Sequence, residues 1–241
     1  MRRFVIALAA GTLMSGAAMA ADMPVKAPLA PAPMLVDPWT GWYVGGTFGW
    51  VDQHHHWAFD PAVPAAVNQV FDLSRSGAMG GFVSGYQKQF GQFVLGLESG
   101  YNWFGDAFAK HSGYGTGFAA FADARLRSVW TAGVRLGWAA SPAWLFYLNG
   151  GYANGSVQTQ NENIATGVIN AGLDTSRNQN GWYGGIGVDY RIWQNFIVGL
   201  EYQRIELQSK LHTVSPVPST NDHDIKPTAD VVRARITVLF H

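Results

Sequence analysis

The chain has 241 residues with 16 basic and 16 acidic side chains, so its formal net charge is zero and the basic footprint of a nucleic-acid-binding protein is missing. Charged residues make up only 13%, against roughly 25% in a soluble domain, while aromatics reach 14% with ten Trp. The absence of cysteine excludes a disulfide framework and a lipid attached through a cysteine.

The N-terminus reads as a secretory signal. Arg2 and Arg3 precede an apolar run, Phe4 to Leu13, and Ala18-Met19-Ala20 offers the small-x-small site of signal peptidase, with cleavage expected before Ala21. The apolar run is too short to cross a hydrocarbon layer about 30 Å thick, and no later stretch approaches the ~20 uninterrupted apolar residues of a spanning helix. Residues 21–40 read as a proline-rich periplasmic linker, because Pro24, Pro28, Pro31, Pro33 and Pro38 interrupt helix and sheet alike. Residues 41–241 are expected to form the folded domain.

From Trp42 onward, side chains alternate with the period of two that a strand imposes. Trp42, Val44, Gly46, Phe48 and Trp50 share one face, and Tyr43, Gly45, Thr47 and Gly49 the other. A polar loop is expected over about Asp52 to Ser76, then a strand from Gly77 to Gln89, a tight turn at Gly91-Gln92, and a strand from Phe93 to Trp103. A Gly-rich loop to about Asp123 leads to a strand over Ala124 to Trp138. There Leu126, Trp130, Val134 and Leu136 oppose Arg125, Arg127, Val129 and Arg135. A turn at Ser141-Pro142-Ala143 precedes a strand from Trp144 to about Gly155. After a polar loop come Trp182 to Ile192, a turn at Gln194-Asn195, and Phe196 to Glu206; a last loop to about Ala229 precedes a strand over Asp230 to Phe240.

These eight strands alternate short turns with long loops, the pattern of an outer-membrane barrel with periplasmic turns and external loops. The expected fold is therefore all-β, an eight-stranded antiparallel up-and-down transmembrane β-barrel. Two hairpins also echo each other: Gly80-Gly81 to Glu98 resembles Gly184-Gly185 to Glu201.

The polar faces decide what points inward. An eight-stranded barrel has an interior just wide enough for its side chains, which admits glycines and a few long charged residues but not rows of Trp and Phe. Glu98, Arg127, Arg135, Asp189, Arg191, Glu201, Arg233 and Arg235 are thus expected inside, paired with one another, since an unpaired buried charge costs several kcal/mol. Trp42, Trp50, Trp103, Trp130, Trp138, Trp144, Trp182 and Trp193 lie near strand ends, where interfacial aromatic girdles belong.

Gly41-Trp42-Tyr43-Val44-Gly45-Gly46, Phe93 to Glu98, Val134 to Ala139, Tyr147 to Gly151 and Glu201-Tyr202 together resemble the porin-like outer-membrane immunogenic proteins of Gram-negative bacteria. The resemblance covers nearly all of the chain after the linker. It implies an OmpA-type barrel and a surface-exposed, antigenic envelope protein. Such barrels usually end on an aromatic residue read by the assembly machinery, whereas here His241 follows Phe240; the alternation of Ile236, Val238 and Phe240 is nevertheless intact.

Chemistry beyond this is sparse. His54-His55-His56 beside Trp57 is a metal-like cluster without a carboxylate at ligand spacing, and it reads as a solvated loop. Ser74, His111, Ser112, His212 and Asp222 are loop candidates for an envelope enzyme, but no nucleophile-elbow motif fixes them. The leading expectation is a non-enzymatic structural and surface barrel without cofactor or metal. Its partners would be outer-membrane lipids, lipopolysaccharide and, through the C-terminal strand, the barrel-assembly machinery. The alternative is a narrow porin through an Arg-lined lumen, and an outer-membrane enzyme comes third.

Overall fold

The computed structural model describes residues 37–59, 70–105, 120–163, 168–169, 175–212 and 223–241. The expected signal peptide, most of the linker, His111, Ser112 and Asp222 lie outside them. Strands β1 (Gly41–Phe59), β2 (Val70–Phe90), β3 (Phe93–Phe104), β4 (Ala120–Ala139) and β5 (Trp144–Asn163) are followed by the two-residue β6 (Val168–Ile169). Then come β7 (Thr175–Arg191), β8 (Phe196–Leu207), the short β9 (Lys210–His212) and β10 (His223–Phe240).

Eight long strands close an antiparallel up-and-down barrel. Each pairs with its neighbour in the order β1-β2-β3-β4-β5-β7-β8-β10, and β10 returns to β1 with Trp42 opposite Phe240 and Phe59 opposite His223. Closure removes the sheet edges that would otherwise leave ladder groups unpaired in lipid. At one end the turns are short: Gly91, with φ of 62°, reverses the chain between Phe90 and Phe93, where a side chain would be strained. The Ser141 hydroxyl accepts from the Ala143 and Trp144 amides, both at 3.2 Å, to shape the next turn.

The outer wall is apolar. Leu97 (66%), Leu148 (58%), Ile186 (57%) and Leu200 (61%) are exposed at mid-strand, an arrangement only hydrocarbon tolerates over a continuous belt. The lumen holds the complementary face, in two apolar layers. One comprises Val51, Met79, Phe104, Leu126, Val129, Ala153, Val157, Tyr183, Ile205, Leu207, Ala229 and Val231. The other lies at the short-turn end and comprises Trp39, Tyr43, Val83, Val94, Ala139, Leu145, Ile197 and Leu239.

Two expectations need correction. Most of the strands run well past their expected ends, because ladder pairing continues where alternation fades: Gln53 pairs with Arg75 and His55 with Leu73, inside what reads as a polar loop. Once both faces of a strand leave the membrane, hydrophobicity no longer alternates, although the hydrogen bonds do. The second correction is local. A register shift between Leu126 and Ser128 reverses the facing of β4 above it, so Leu126 is buried at 2% and Arg127 is exposed.

Because β3 and β8 stop at Phe104 and Leu207, the wall beyond them continues, among the described residues, as two ribbons, β9-β10-β1-β2 and β4-β5-β7, with the short β6 on β5. Gln53 of β1 spans the lumen between them. Its amide accepts from the Leu126 N–H at 3.0 Å and donates to the Leu126 carbonyl at 3.3 Å, imitating a strand partner on the edge of β4 beyond the end of β3. Gln53→Ala should therefore leave two buried backbone groups unpaired and destabilise the long-loop end by about 1–3 kcal/mol, seen as faster amide exchange at Leu126.

Candidate functional site in the barrel lumen

Between the apolar layers lies a layer of charge. Six inward side chains from five strands meet there: Glu98 on β3, Arg135 on β4, Asp189 on β7, Glu201 on β8, and Arg233 and Arg235 on β10. All are buried, Glu98 the most exposed at 6%. Arg235 binds Glu201 at 2.8 Å and Glu98 at 2.9 Å, and its Nε stands 3.8 Å from Asp189. Arg233 binds Glu201 at 2.9 Å, and Arg135 pairs closely with Asp189 and stands 3.9 Å from Glu98. Three carboxylates therefore face three guanidiniums, and the layer is formally neutral.

Neutral side chains complete it. The Tyr43 hydroxyl donates to Glu98 at 2.7 Å, and the Tyr147 hydroxyl to Glu201 at 2.9 Å. Asn149 donates to Glu201 at 2.8 Å, while Arg233 donates to Asn102 at 2.9 Å and Arg135 to Gln87 at 3.2 Å. The Arg135 guanidinium also lies over the Tyr147 ring, 3.6 Å from its centroid, a favourable placement for a desolvated cation. The tyrosines fit because glycines make room: a Cβ on Gly85 would overlap Tyr43, and one on Gly187 would overlap Tyr147.

Six of the eight charges singled out in the sequence are thus brought together. Arg127 is not among them, because the bulge turns it outward. Arg191 shares the face of Asp189 but sits at the short-turn end. Its guanidinium lies 4.6 Å from the Trp39 ring centroid and donates to the Pro38 carbonyl. Trp39, read in the sequence as linker, is fully buried and closes that end of the lumen, with its amide donating to Gln89 at 3.1 Å. His241 is anchored there too, its Nδ1 2.9 Å from the Thr40 carbonyl oxygen. The inward tyrosines and amides were legible only as members of the polar face. No sequence signal marks the individual partners.

The eight tryptophans are all exposed on the outer wall, from 42% for Trp130 to 68% for Trp193. By register they form two belts. Trp42, Trp138, Trp144 and Trp193 lie near the short turns, and Trp50, Trp103, Trp130 and Trp182 lie toward the long-loop end. Tyrosines extend both: Trp144 packs on Tyr190 at 4.7 Å and Trp103 on Tyr101 at 5.0 Å.

The histidine cluster lies in β1, not in a loop, so its members diverge: His54 and His56 are exposed outside and His55 is buried inside at 1%. Among the described residues, no group of three His, Cys, Asp or Glu is arranged to hold a metal ion. Ser74 and His54 do meet, Oγ to Nδ1 at 3.0 Å, with Asp52 3.6 Å from the other ring nitrogen. Both histidine and aspartate are about half exposed, at 49% and 51%, and among the described residues the neighbouring backbone of both strands is engaged in the β1–β2 ladder.

A family model for the outer membrane protein β-barrel domain matches residues 6–234. A 31 kDa outer-membrane immunogenic protein of Brucella melitensis is 29% identical over 216 residues, covering 84% of this chain and 86% of the relative. A 25 kDa outer-membrane immunogenic protein of Brucella ovis is 28% identical over 220 residues, covering 88% of this chain and 93% of the relative. The solved outer membrane protease OmpT of Escherichia coli aligns over 86% of this chain and 99% of its own, at 11% identity and a TM-score of 0.45, too loosely to carry an argument.

Proposed function

Because the chain belongs to the outer membrane protein β-barrel domain family and resides in the bacterial outer membrane, we propose that it is a closed, non-enzymatic barrel with a structural and surface-exposed role. The observation that carries this reading is the layered lumen: a charge layer neutralised within itself, held between two apolar layers and floored by Trp39. An ion passing through would have to separate buried ion pairs and then cross apolar packing twice, each at a cost of several kcal/mol.

The two tryptophan belts would sit at the membrane interfaces. From Trp42 to Trp50 the strand rises about 26 Å, or ~20 Å along the axis of a barrel tilted by about 40°, close to the ~25 Å apolar band of such proteins. Lipid and lipopolysaccharide would surround that band. The strand offered to the assembly machinery would be β10, whose Ile236 and Phe240 face outward. The names of the Brucella relatives, outer-membrane immunogenic proteins, support assigning contact with the surroundings to the long-loop end.

Planar-bilayer recording of the refolded protein tests this reading, with heat-modifiable gel migration as the check of folding. A silent bilayer is expected. Reproducible conductance steps whose ion selectivity changes on charge reversal at Arg135 or Arg235 would replace it with a narrow pore.

A further inference from the structure

The residues just before β1 are fixed more firmly than a spacer requires. Asp37 and Pro38 open a tight turn, closed by the Thr40 amide donating to the Asp37 carbonyl at 3.1 Å, with proline in the second position that suits its fixed φ. The turn sets Trp39 into the lumen, fully buried. Gly41 makes the bend from turn to strand. Its φ is 145°, a conformation L side chains rarely adopt, and a Cβ there would collide with the Phe240 carbonyl oxygen.

Both strands that flank β1 hold this turn. On the β2 side, the Trp39 amide donates to Gln89 Oε1 at 3.1 Å, and the Gln89 amide donates to the Thr40 hydroxyl at 3.0 Å. On the β10 side, the ladder ends where Trp42 faces Phe240, and a side chain continues the seam: His241 Nδ1 donates to the Thr40 carbonyl at 2.9 Å. A carbonyl only accepts, so this nitrogen carries the proton. From the end of β7, Arg191 donates to the Pro38 carbonyl and sets its guanidinium against the Trp39 ring.

The seat for Trp39 exists only in a closed barrel. Its apolar layer draws Tyr43 from β1, Val83 from β2, Val94 from β3, Leu145 from β5 and Leu239 from β10. Contacts that join the first and last strands through the lumen cannot form until those strands have met. They therefore stabilise the native state more than the transition state for closure. We propose that Asp37 to Gly41 and His241 form a clasp that fastens the β1–β10 seam at the short-turn end once the barrel has closed. His241, the residue beyond the aromatic Phe240, is the outer half of that clasp. The clasp is independent of whether the lumen conducts.

The test uses the full chain refolded into phosphatidylcholine vesicles. Unfolding in concentrated urea and refolding on dilution are followed by heat-modifiable migration, and amide exchange is read strand by strand. Trp39→Ala should unfold roughly tenfold faster and refold at an unchanged rate. His241→Ala, which removes only an exposed side chain, should speed exchange roughly fivefold where Trp42 faces Phe240 and Tyr43 faces Leu239, and leave the β4–β5 ladder as it was. Leu145→Ala is the packing control: it lies in the same apolar layer but on β5, and should loosen the β4–β5 ladder more than the seam. Refolding of Trp39→Ala slowed by as large a factor as unfolding is accelerated would overturn late engagement. Unchanged exchange at the seam in His241→Ala, or equal acceleration in both ladders, would overturn the clasp, and this variant decides alone should Trp39→Ala not fold.

Discussion

Replacing Arg235 with alanine should destabilise the barrel by about 3–5 kcal/mol, the range for removing one partner of a buried ion pair. Its two Nη atoms hold Glu201 at 2.8 Å and Glu98 at 2.9 Å, and one of them also donates to the Tyr147 hydroxyl at 3.1 Å. The substitution leaves three carboxylates against two guanidiniums in a layer whose members are at most 6% exposed. Removing Glu98 together with Arg235 should cost less than Arg235→Ala alone, because the surplus negative charge is then gone. Arg191→Ala should have a much smaller effect, since that guanidinium is only partly buried and binds backbone carbonyls in place of a carboxylate. Urea unfolding in lipid vesicles, followed by the loss of heat-modifiable migration, ranks the three variants. A cost for Arg235→Ala no greater than that for Arg191→Ala would mean that the charge layer does not hold the barrel.

The sequence revealed this layer because strand alternation is a strict code wherever one face meets lipid and the other a narrow lumen. Glu98, Arg135 and Arg235 stand opposite apolar neighbours such as Leu97, Val134 and Ile236, and their inward placement follows from parity alone. Parity fails at Arg127 because a single extra residue inverts every side chain above it, and no residue type there announces a bulge. It also fails to bound the strands, since residues such as Gln53 and His55 pair in the ladder without any hydrophobic contrast between faces. Trp39 was hidden for another reason. Five prolines make the preceding segment look like featureless spacer, and only the packing of its last residues beneath Tyr43, Val94 and Leu239 reveals a floor. The apolar layers are equally unmarked: Val51, Val129 and Val231 lie on the polar face by parity but are too few per strand to register as a pattern.

Glycine placement yields the other large expected effect. Gly187→Ala should cost about 2–4 kcal/mol, whereas Gly184→Ala, three residues away on the same strand, should be nearly neutral. The Gly187 position faces the lumen, where an added Cβ would lie 2.3 Å from Cζ and 2.4 Å from the hydroxyl oxygen of Tyr147, overlapping the ring. To escape, the ring must move into packed surroundings, an overpacking cost of about 1–3 kcal/mol. Moving also breaks the hydrogen bond from Tyr147 to Glu201 at 2.9 Å, adding about 1.5–3 kcal/mol for a bond to a charged group if nothing replaces it. Gly184 faces outward, and its Cβ would find its closest neighbour, the Trp182 ring, at 3.6 Å, an ordinary contact. The coupling is directly measurable, because Tyr147→Ala removes the obstacle and should make Gly187→Ala nearly free of further cost. A double-mutant cycle on unfolding free energy should then give an interaction close to the whole cost of Gly187→Ala, about 2–4 kcal/mol. Additive effects would show that Tyr147 does not rest on Gly187 and that glycine is not what makes room for the tyrosines inside so narrow a barrel.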